Sequence, residues 1–438
     1  MVLENIDKKY RWLLYSLLIL MVIYTDSPLQ SFLESFGESL LPLISILLFI
    51  LFFPFSYLKK EDTFINKFFY LVCYTAIISV LSWAYYFTSG TIELKGDLLP
   101  VKTFKVMLYF VGYLCYLKLL VNLGKGMDLE EIFKPFLITF IILTLILLVE
   151  LQQIPDAFPQ FHYHAPPYNR VRLLCSESSW TAGLIQVFAS MSLYYAKYIK
   201  KSSKLVVLVL VCLIIHLSAS GSKTLLVSVF AFIIIAMLIN MKKSSPITKL
   251  AIIFIGGFLS IIAYVVILPE LSESFETDIE EATSTVTRFY TMICGISIGA
   301  HFPFGTGFVA YLDLLPYTMD QYTWVLGNIF DSYNLDEVIE LISDNTGANL
   351  SVKSFLGQST IYWGILGSFY FVKILIDCLK KTEKSINEDG FWIIKSMCYL
   401  MIIELALTSA LMYEFLAFIS VLIIMRESFS KRMVPNIE

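Results

Sequence analysis

The sequence predicts an all-α polytopic membrane protein, and three observations carry that reading. First, 57% of the 438 residues are hydrophobic, 16% are charged and the mean hydropathy is +0.74. A soluble domain is nearer ~45–50% apolar and ~25% charged. Second, the apolar residues come in long runs without charge, such as Leu40–Phe55, Leu225–Met241 and Leu250–Pro269. Roughly 20 apolar residues cross a bilayer as a helix. Only helices and closed barrels satisfy every backbone group in lipid, and the ~10-residue alternation of barrel strands is absent. Third, Lys and Arg divide unequally between the two sets of connecting loops. The formal charge of −4 gives no basic surface for a nucleic acid.

The hydropathy pattern predicts about twelve transmembrane helices, centred on residues 11–26, 40–58, 67–88, 102–122, 134–152, 178–198, 203–218, 223–241, 249–269, 352–378, 391–410 and 413–426. The first has charges before it and no small-residue cleavage site, so it reads as an anchor rather than a signal peptide. With the N-terminus in the cytoplasm, three quarters of the 32 Lys and Arg fall on cytoplasmic ends. The opposite orientation inverts that ratio, so the positive-inside rule places both termini in the cytoplasm.

The spans divide the chain into residues 1–152 with helices one to five, 153–269 with helices six to nine, 270–350 as an extracytoplasmic cap, and 351–438 with the last three helices. Glu270–Leu350 holds thirteen Asp and Glu against Arg288 as its one Lys or Arg. Loops of that length in a compact protein are functional or disordered. Its aromatics, the amphipathic stretch Phe289–Ala300 and the turn sequence Pro303-Phe304-Gly305-Thr306-Gly307 predict a folded cap. No internal repeat is visible. Cys175 and Cys294 both fall on the outer side, which leaves a disulfide between them open.

Cations are scarce outside, so each one there asks for an explanation. Arg170 and Arg172 precede Cys-Ser176-Glu177-Ser178-Ser179-Trp180 at the start of the sixth span. Glu177 and the serines suit a helix N-terminus. A helix N-terminus with two guanidinium groups also suits an anion, because the fork matches phosphate oxygens and stays charged. Lys223 follows Ser218-Ala-Ser220-Gly-Ser222 in a tight hairpin whose spacing is not that of a P-loop. It reads either as a plain turn or as a hydroxyl-rich wall of the same cavity, with Ser220 and Ser179 as hydroxyl donors. Arg288 stands alone among acids, as an ion-pair partner of Glu280 or Glu281 or as a further anion ligand. His301 is a base or a packed imidazole. His162 and His164 lack a third ligand, and no metal site is predicted. Glu404, Glu414, Lys395 and His216 are the ionisable groups inside the spans, too few for an ion-coupled relay.

These residues resemble, in order and spacing, the O-antigen polymerase and O-antigen ligase superfamily of bacterial envelopes. Arg170 stands seven residues before Glu177-Ser178-Ser179, where such polymerases show an Arg and then Glu-Pro-Ser; Ser178 replaces the Pro. Ser218-Ala-Ser220-Gly221-Ser222-Lys223 stands where the family has Ser-x-Ser-Arg, with Lys for Arg. Arg288 leads to Pro303-Phe304-Gly305-Thr306-Gly307-Phe308, where the family has an Arg before a Pro-x-x-Gly-x-Gly turn. Gly364-Ile-Leu-Gly367 follows Lys353-Ser354 by eleven residues, where ligases show His-Asn. The resemblance covers roughly residues 165–370.

The resemblance implies a GT-C-like glycosyltransferase in the bacterial cytoplasmic membrane, with its active site facing the periplasm or cell exterior. It implies an undecaprenyl-diphosphate-linked oligosaccharide as donor and as acceptor, and, as partners, a chain-length regulator and a flippase. Arg170, Arg172 and Arg288, with Lys223 and Lys353, are then expected to hold the diphosphate. Glu177, or after it His301, is expected to take the acceptor's proton. The leaving group is already acidic, so no metal or cofactor is expected. Lys353 in the His position favours polymerase over ligase. A flippase or transporter is the reading of another class, but it wants charges through the depth of the membrane, and these cluster at one face.

Overall fold

A computed structural model describes residues 7–33, 35–52, 63–164, 167–220, 222–241, 279–329, 336–344, 346–347, 350–386, 390–407 and 410–432. The span expected at 249–269 lies outside the described residues.

The described chain is almost wholly helical. In order its main helices are α1 (Lys8–Leu20), α2 (Leu41–Phe52), α3 (Thr63–Thr88), α4 (Leu99–Gly124), α5 (Leu129–Glu150), α6 (Thr181–Tyr194), α7 (Ser203–Ala219), α8 (Lys223–Met241), α9 (Ile279–His301), α10 (Tyr311–Ile329), α11 (Asp336–Ser343), α12 (Phe355–Ile386), α13 (Phe391–Leu407) and α14 (Tyr413–Arg432). The only sheet among the described residues is the hairpin Glu93–Leu94 with Asp97–Leu98. Lys95 and Gly96 at its tip take φ of 49° and 76°, the left-handed pair that a two-residue hairpin turn requires.

Among the described residues, five segments are long and apolar enough to cross a bilayer: Thr63–Thr88, Leu99–Gly124, Leu129–Glu150, Thr224–Met241 and Phe355–Ile386. Leu41–Phe52 and Ser203–Ala219 are apolar but shorter. The chain is therefore all-α, with the apolar helices of a membrane protein.

The helices differ in how much of their circumference is covered. In α14, residues 413–425 are buried without a break. A helix apolar on all sides belongs at the centre of a large protein, and α14 packs against α4, α6 and α12 there. By contrast α7 and α8 leave Val207, Val211, Ile214 and Val227 exposed, which fits helices at the edge of a bundle facing lipid. Local chemistry sets the starts: the Asp128 backbone N–H donates to Glu131 at 2.9 Å, so the α5 N-terminus is capped from within its own first turn.

One helix is interrupted. Gly364 in α12 has φ 71° and ψ 170°. The turn at Pro303–Phe308, between α9 and α10, fills the break. Thr306 N–H donates to Ile361 O at 2.9 Å, Gly307 N–H to Tyr362 O at 3.2 Å and Leu366 N–H to Pro303 O at 3.4 Å. The backbones touch: a Cβ on Gly364 would lie 2.1 Å from Pro303 O, and one on Gly305 2.3 Å from Tyr362 O. On its other side the turn meets α3, where Tyr74 Oη donates to Phe304 O and Phe308 N–H donates to Ser79 Oγ at 2.8 Å. Tyr74 is fourteen residues from the end of α3, about 21 Å of helix rise. The turn 303–308 thus packs well down the bundle.

Candidate functional site

The loop between α5 and α6 is pinned from three sides. Glu150, at the last position of α5, is buried and accepts the backbone N–H groups of Arg172 and Leu173 at 2.9 and 2.8 Å. Leu173 takes φ 55°, so both amides turn towards one carboxylate. From the α1 side, Thr25 N–H donates to Leu174 O at 3.0 Å and Thr25 pairs with Cys175. Tyr24 Oη donates to Phe161 O at 2.8 Å.

Asp26 is the third anchor and has no exposed surface. Its carboxylate takes Nδ1 of His162 at 2.8 Å and of His164 at 2.7 Å, and Arg172 Nη1 lies 3.6 Å away. Burial pushes this carboxyl up, but the two imidazole hydrogen bonds outweigh it and hold it below the usual carboxylate range. Arg172 also donates to His164 O at 3.0 Å and lies 4.7 Å from the Tyr168 ring centre. At 2% exposure it is a strut of the loop. The expected diphosphate role of Arg172 meets a guanidinium already enclosed by the chain's own carboxylate, carbonyl and ring.

Beyond the strut the chain makes a turn at Ser178–Trp180. The sequence suggests a helix opening at Glu177–Ser179; α6 instead starts at Thr181, and its N-cap residue Trp180 makes no side-chain capping bond. Ser178 O is taken by Thr181 Oγ1 at 2.7 Å. The Ser179 hydroxyl donates to Glu177 Oε2 at 3.0 Å. Arg288, from α9, completes the group: Nη2 donates to Ser179 Oγ at 3.3 Å across a separation of 109 residues and stands 3.5 Å from Glu177 Oε2. Glu177 remains half open to solvent. Ser179 is thus bonded from both sides, and Arg288 pairs with Glu177; the side chains of its expected partners Glu280 and Glu281 lie outside the described residues.

Glu38 adds a further carboxyl to this end of the bundle. Ser27 N–H donates to its backbone carbonyl at 3.2 Å, tying it to the Asp26 segment. Burial first, then the charges of Asp26 and Glu177, push it up to about 7. Nothing in the sequence around Glu38 marks it. Asp26, Glu38 and Glu150 acquire their chemistry from partners in other segments of the chain, and only an acid at the edge of an apolar run hints at them.

The remaining candidates are spread out. Arg170 is half-buried in the same loop. Lys353 is half-buried just before α12, and its neighbour Val352 packs against Gly295, seven residues or about 10 Å of rise from Arg288. Lys223 opens α8, and its side chain lies outside the described residues. Ser220 is buried and accepts Ser222 N–H at 3.3 Å, a bond local to its turn. His301 ends α9 with Nδ1 against Ser297 O at 2.8 Å. It stands thirteen residues, about 20 Å of rise, from Arg288, so the two expected proton acceptors Glu177 and His301 do not share a site. Cys175 and Cys294 are each a buried free thiol. Among the described residues no group of three or more His, Cys, Asp or Glu is placed to hold a metal.

What the arrangement offers chemically is a carboxylate and a guanidinium joined through a hydroxyl, half open at one end of a helical bundle. No family model, no curated protein and no solved structure matches the chain.

Proposed function

We propose that this protein is an integral-membrane glycosyltransferase that polymerises lipid-diphosphate-linked oligosaccharide repeat units at the outer face of a bacterial cytoplasmic membrane. The observation that carries the reading is the meeting of Arg288 with Glu177 and Ser179. Two segments singled out by order and spacing in the sequence converge in space. The segment that carries Arg288 also meets the one that carries Gly364, where Gly305 and Gly364 interlock.

In this reading about twelve helices cross the membrane, both termini are cytoplasmic, and the end bearing Glu177 faces outward. Donor and acceptor are both undecaprenyl-diphosphate-linked. Arg288 and Arg170 hold the donor diphosphate. An acceptor hydroxyl attacks C1 of the donor's reducing-end sugar, the C1–O bond to diphosphate breaks, and the diphosphate leaves with both bonding electrons. Positive charge on the departing oxygens supplies most of the stabilisation. Glu177 takes the acceptor proton as general base. Its present partner, Arg288, is released to the diphosphate when the donor binds; a half-open pair of this kind, screened on the Glu177 side, is worth about 1 kcal/mol, so the exchange is cheap.

The test uses the full chain in membrane vesicles with lipid-linked repeat units, products being resolved by length. A ladder of longer lipid-linked glycans supports the reading. Transfer to another lipid without a change in length assigns the protein to the ligases, and no transfer removes the glycosyltransferase reading.

A further inference from the structure

Helix α10 carries a surface stripe that the transfer chemistry does not use. Asp313, Tyr317, Asp320, Gln321 and Trp324 are all exposed, at 65% for Tyr317 and 71% for Trp324. Their spacing of i, i+4, i+7, i+8 and i+11 puts them on one face. The opposite face is closed: Leu312, Leu315 and Met319 have no exposed surface. Two aromatic rings and two carboxylates therefore alternate along one side, each kind repeating at seven residues, about 10 Å of rise.

That alternation selects a ligand. Large exposed rings alone would suit lipid. Exposed carboxylates in hydrocarbon are costly, and they repel anionic headgroups, so this face meets water. Aromatic faces are electron-rich and attract the C–H edges of a pyranose ring. Carboxylates accept hydrogen bonds from sugar hydroxyls more strongly than neutral acceptors do. A short oligosaccharide spans the distance between the two rings with its hydroxyls on the acids.

At one end the stripe lies level with the candidate site along the bundle, on the face of α10 turned away from α9, and at the other it continues past the start of α10. Near Trp324, Tyr290 Oη donates to Met319 O and stands 3.4 Å from Thr323 Oγ1, and Tyr290 is two residues from Arg288. At the far end, Tyr86 Oη donates to Asp313 at 3.1 Å, and the neighbouring Tyr85 ring is exposed. We infer that the exposed face of α10 is a glycan-binding track, holding neutral or amino-sugar chains between Trp324 and Tyr85. That this glycan is the growing polymer rests on the glycosyltransferase reading; the track itself does not.

The test is direct binding. Full-length protein in detergent is applied to an array of bacterial-polysaccharide oligosaccharides spanning neutral, amino-sugar and acidic types. Binding to neutral or amino-sugar chains is expected to weaken about tenfold or more in Tyr317→Ala/Trp324→Ala, two lost ring contacts. It is expected to persist in Tyr317→Phe/Trp324→Phe, which keeps the rings and controls for folding, and to weaken in Asp320→Asn. No binding to any oligosaccharide on the array, or equal binding by all variants, overturns the track. Trp324 fluorescence quenched by lipids brominated in the acyl chains also overturns it, by showing a membrane anchor. None of these outcomes depends on whether repeat units are polymerised, so the two readings fail separately.

Discussion

The Glu150 carboxylate and the Arg172 backbone amide meet at 2.9 Å, and the adjacent Leu173 amide meets the same carboxylate at 2.8 Å. The last residue of α5 therefore fixes the direction of the chain eight positions before α6 begins. The loop is aimed by a helix end rather than by its own turn residues.

Glu150→Ala leaves two buried amides without an acceptor. The expected cost is about 2–4 kcal/mol, read as a lowered unfolding temperature in detergent. Glu150→Gln keeps one carbonyl acceptor and is expected to lose less. Equal stability of both variants with the parent would remove the clamp.

Asp26→Ala strips His162, His164 and Arg172 of their shared partner, and a buried pair broken on one side costs about 3–5 kcal/mol. The acid dependence has a definite sign. The Asp26 carboxyl is held below its ordinary value of 3.8 in the folded chain. Its contribution is present above that value and disappears as pH falls through the folded one. Unfolding temperatures followed down from pH 5 are expected to fall more steeply in the parent than in Asp26→Asn.

Glu38 behaves in the opposite sense. Its folded value, about 7, lies above the ordinary 4.5, so the folded chain resists ionisation of this group. Stability from this group is present below 4.5 and is lost as pH rises towards 7. Glu38→Gln is expected to gain stability relative to the parent between pH 4.5 and 8, measured as the difference in unfolding temperature across that range. A constant difference would show that Glu38 titrates normally.

Arg288→Ala is expected to reduce chain extension about 10²–10³-fold, the scale of removing one preorganised charge-stabilising donor. Arg288→Lys is expected to remain impaired, because a point charge cannot match two phosphate oxygens as the fork does. Arg170→Ala is expected to lower extension as well. Glu177→Gln separates base from ion-pair partner: a lost pH dependence with retained donor binding identifies the base. Each is read as glycan ladders from membranes with matched protein levels.

The sequence makes the apolar helices legible because hydropathy is a local property, and α4, α5 and α8 fall where their apolar runs do. It also marks Glu177, Ser179 and Arg288, through the scarcity of outer cations and through spacing. The partners of each group are another matter. Arg172 looks as available as Arg288 in one dimension; only the fold brings Asp26 from beyond α1 to enclose it. Asp26 carries no local sign, since His162, His164 and Arg172 come from more than a hundred positions away, and Glu38 carries none because its surroundings combine Asp26 with Glu177 from the far loop. The α6 start was shifted by the same blindness: Ser179 suits a cap by type, but Glu177 and Arg288 take its hydroxyl.

The interruption at Gly364 has a consequence for biogenesis. The carbonyls of Ile361 and Tyr362 are met by amides from Thr306 and Gly307, which are translated more than fifty residues earlier. During synthesis the 303–308 turn emerges before its counterpart exists, and neither half is complete alone. Folding of this region is thus a two-part event that closes only when the 361–366 part of α12 has been made, and truncation between the turn and α12 leaves the turn's amides without these carbonyls.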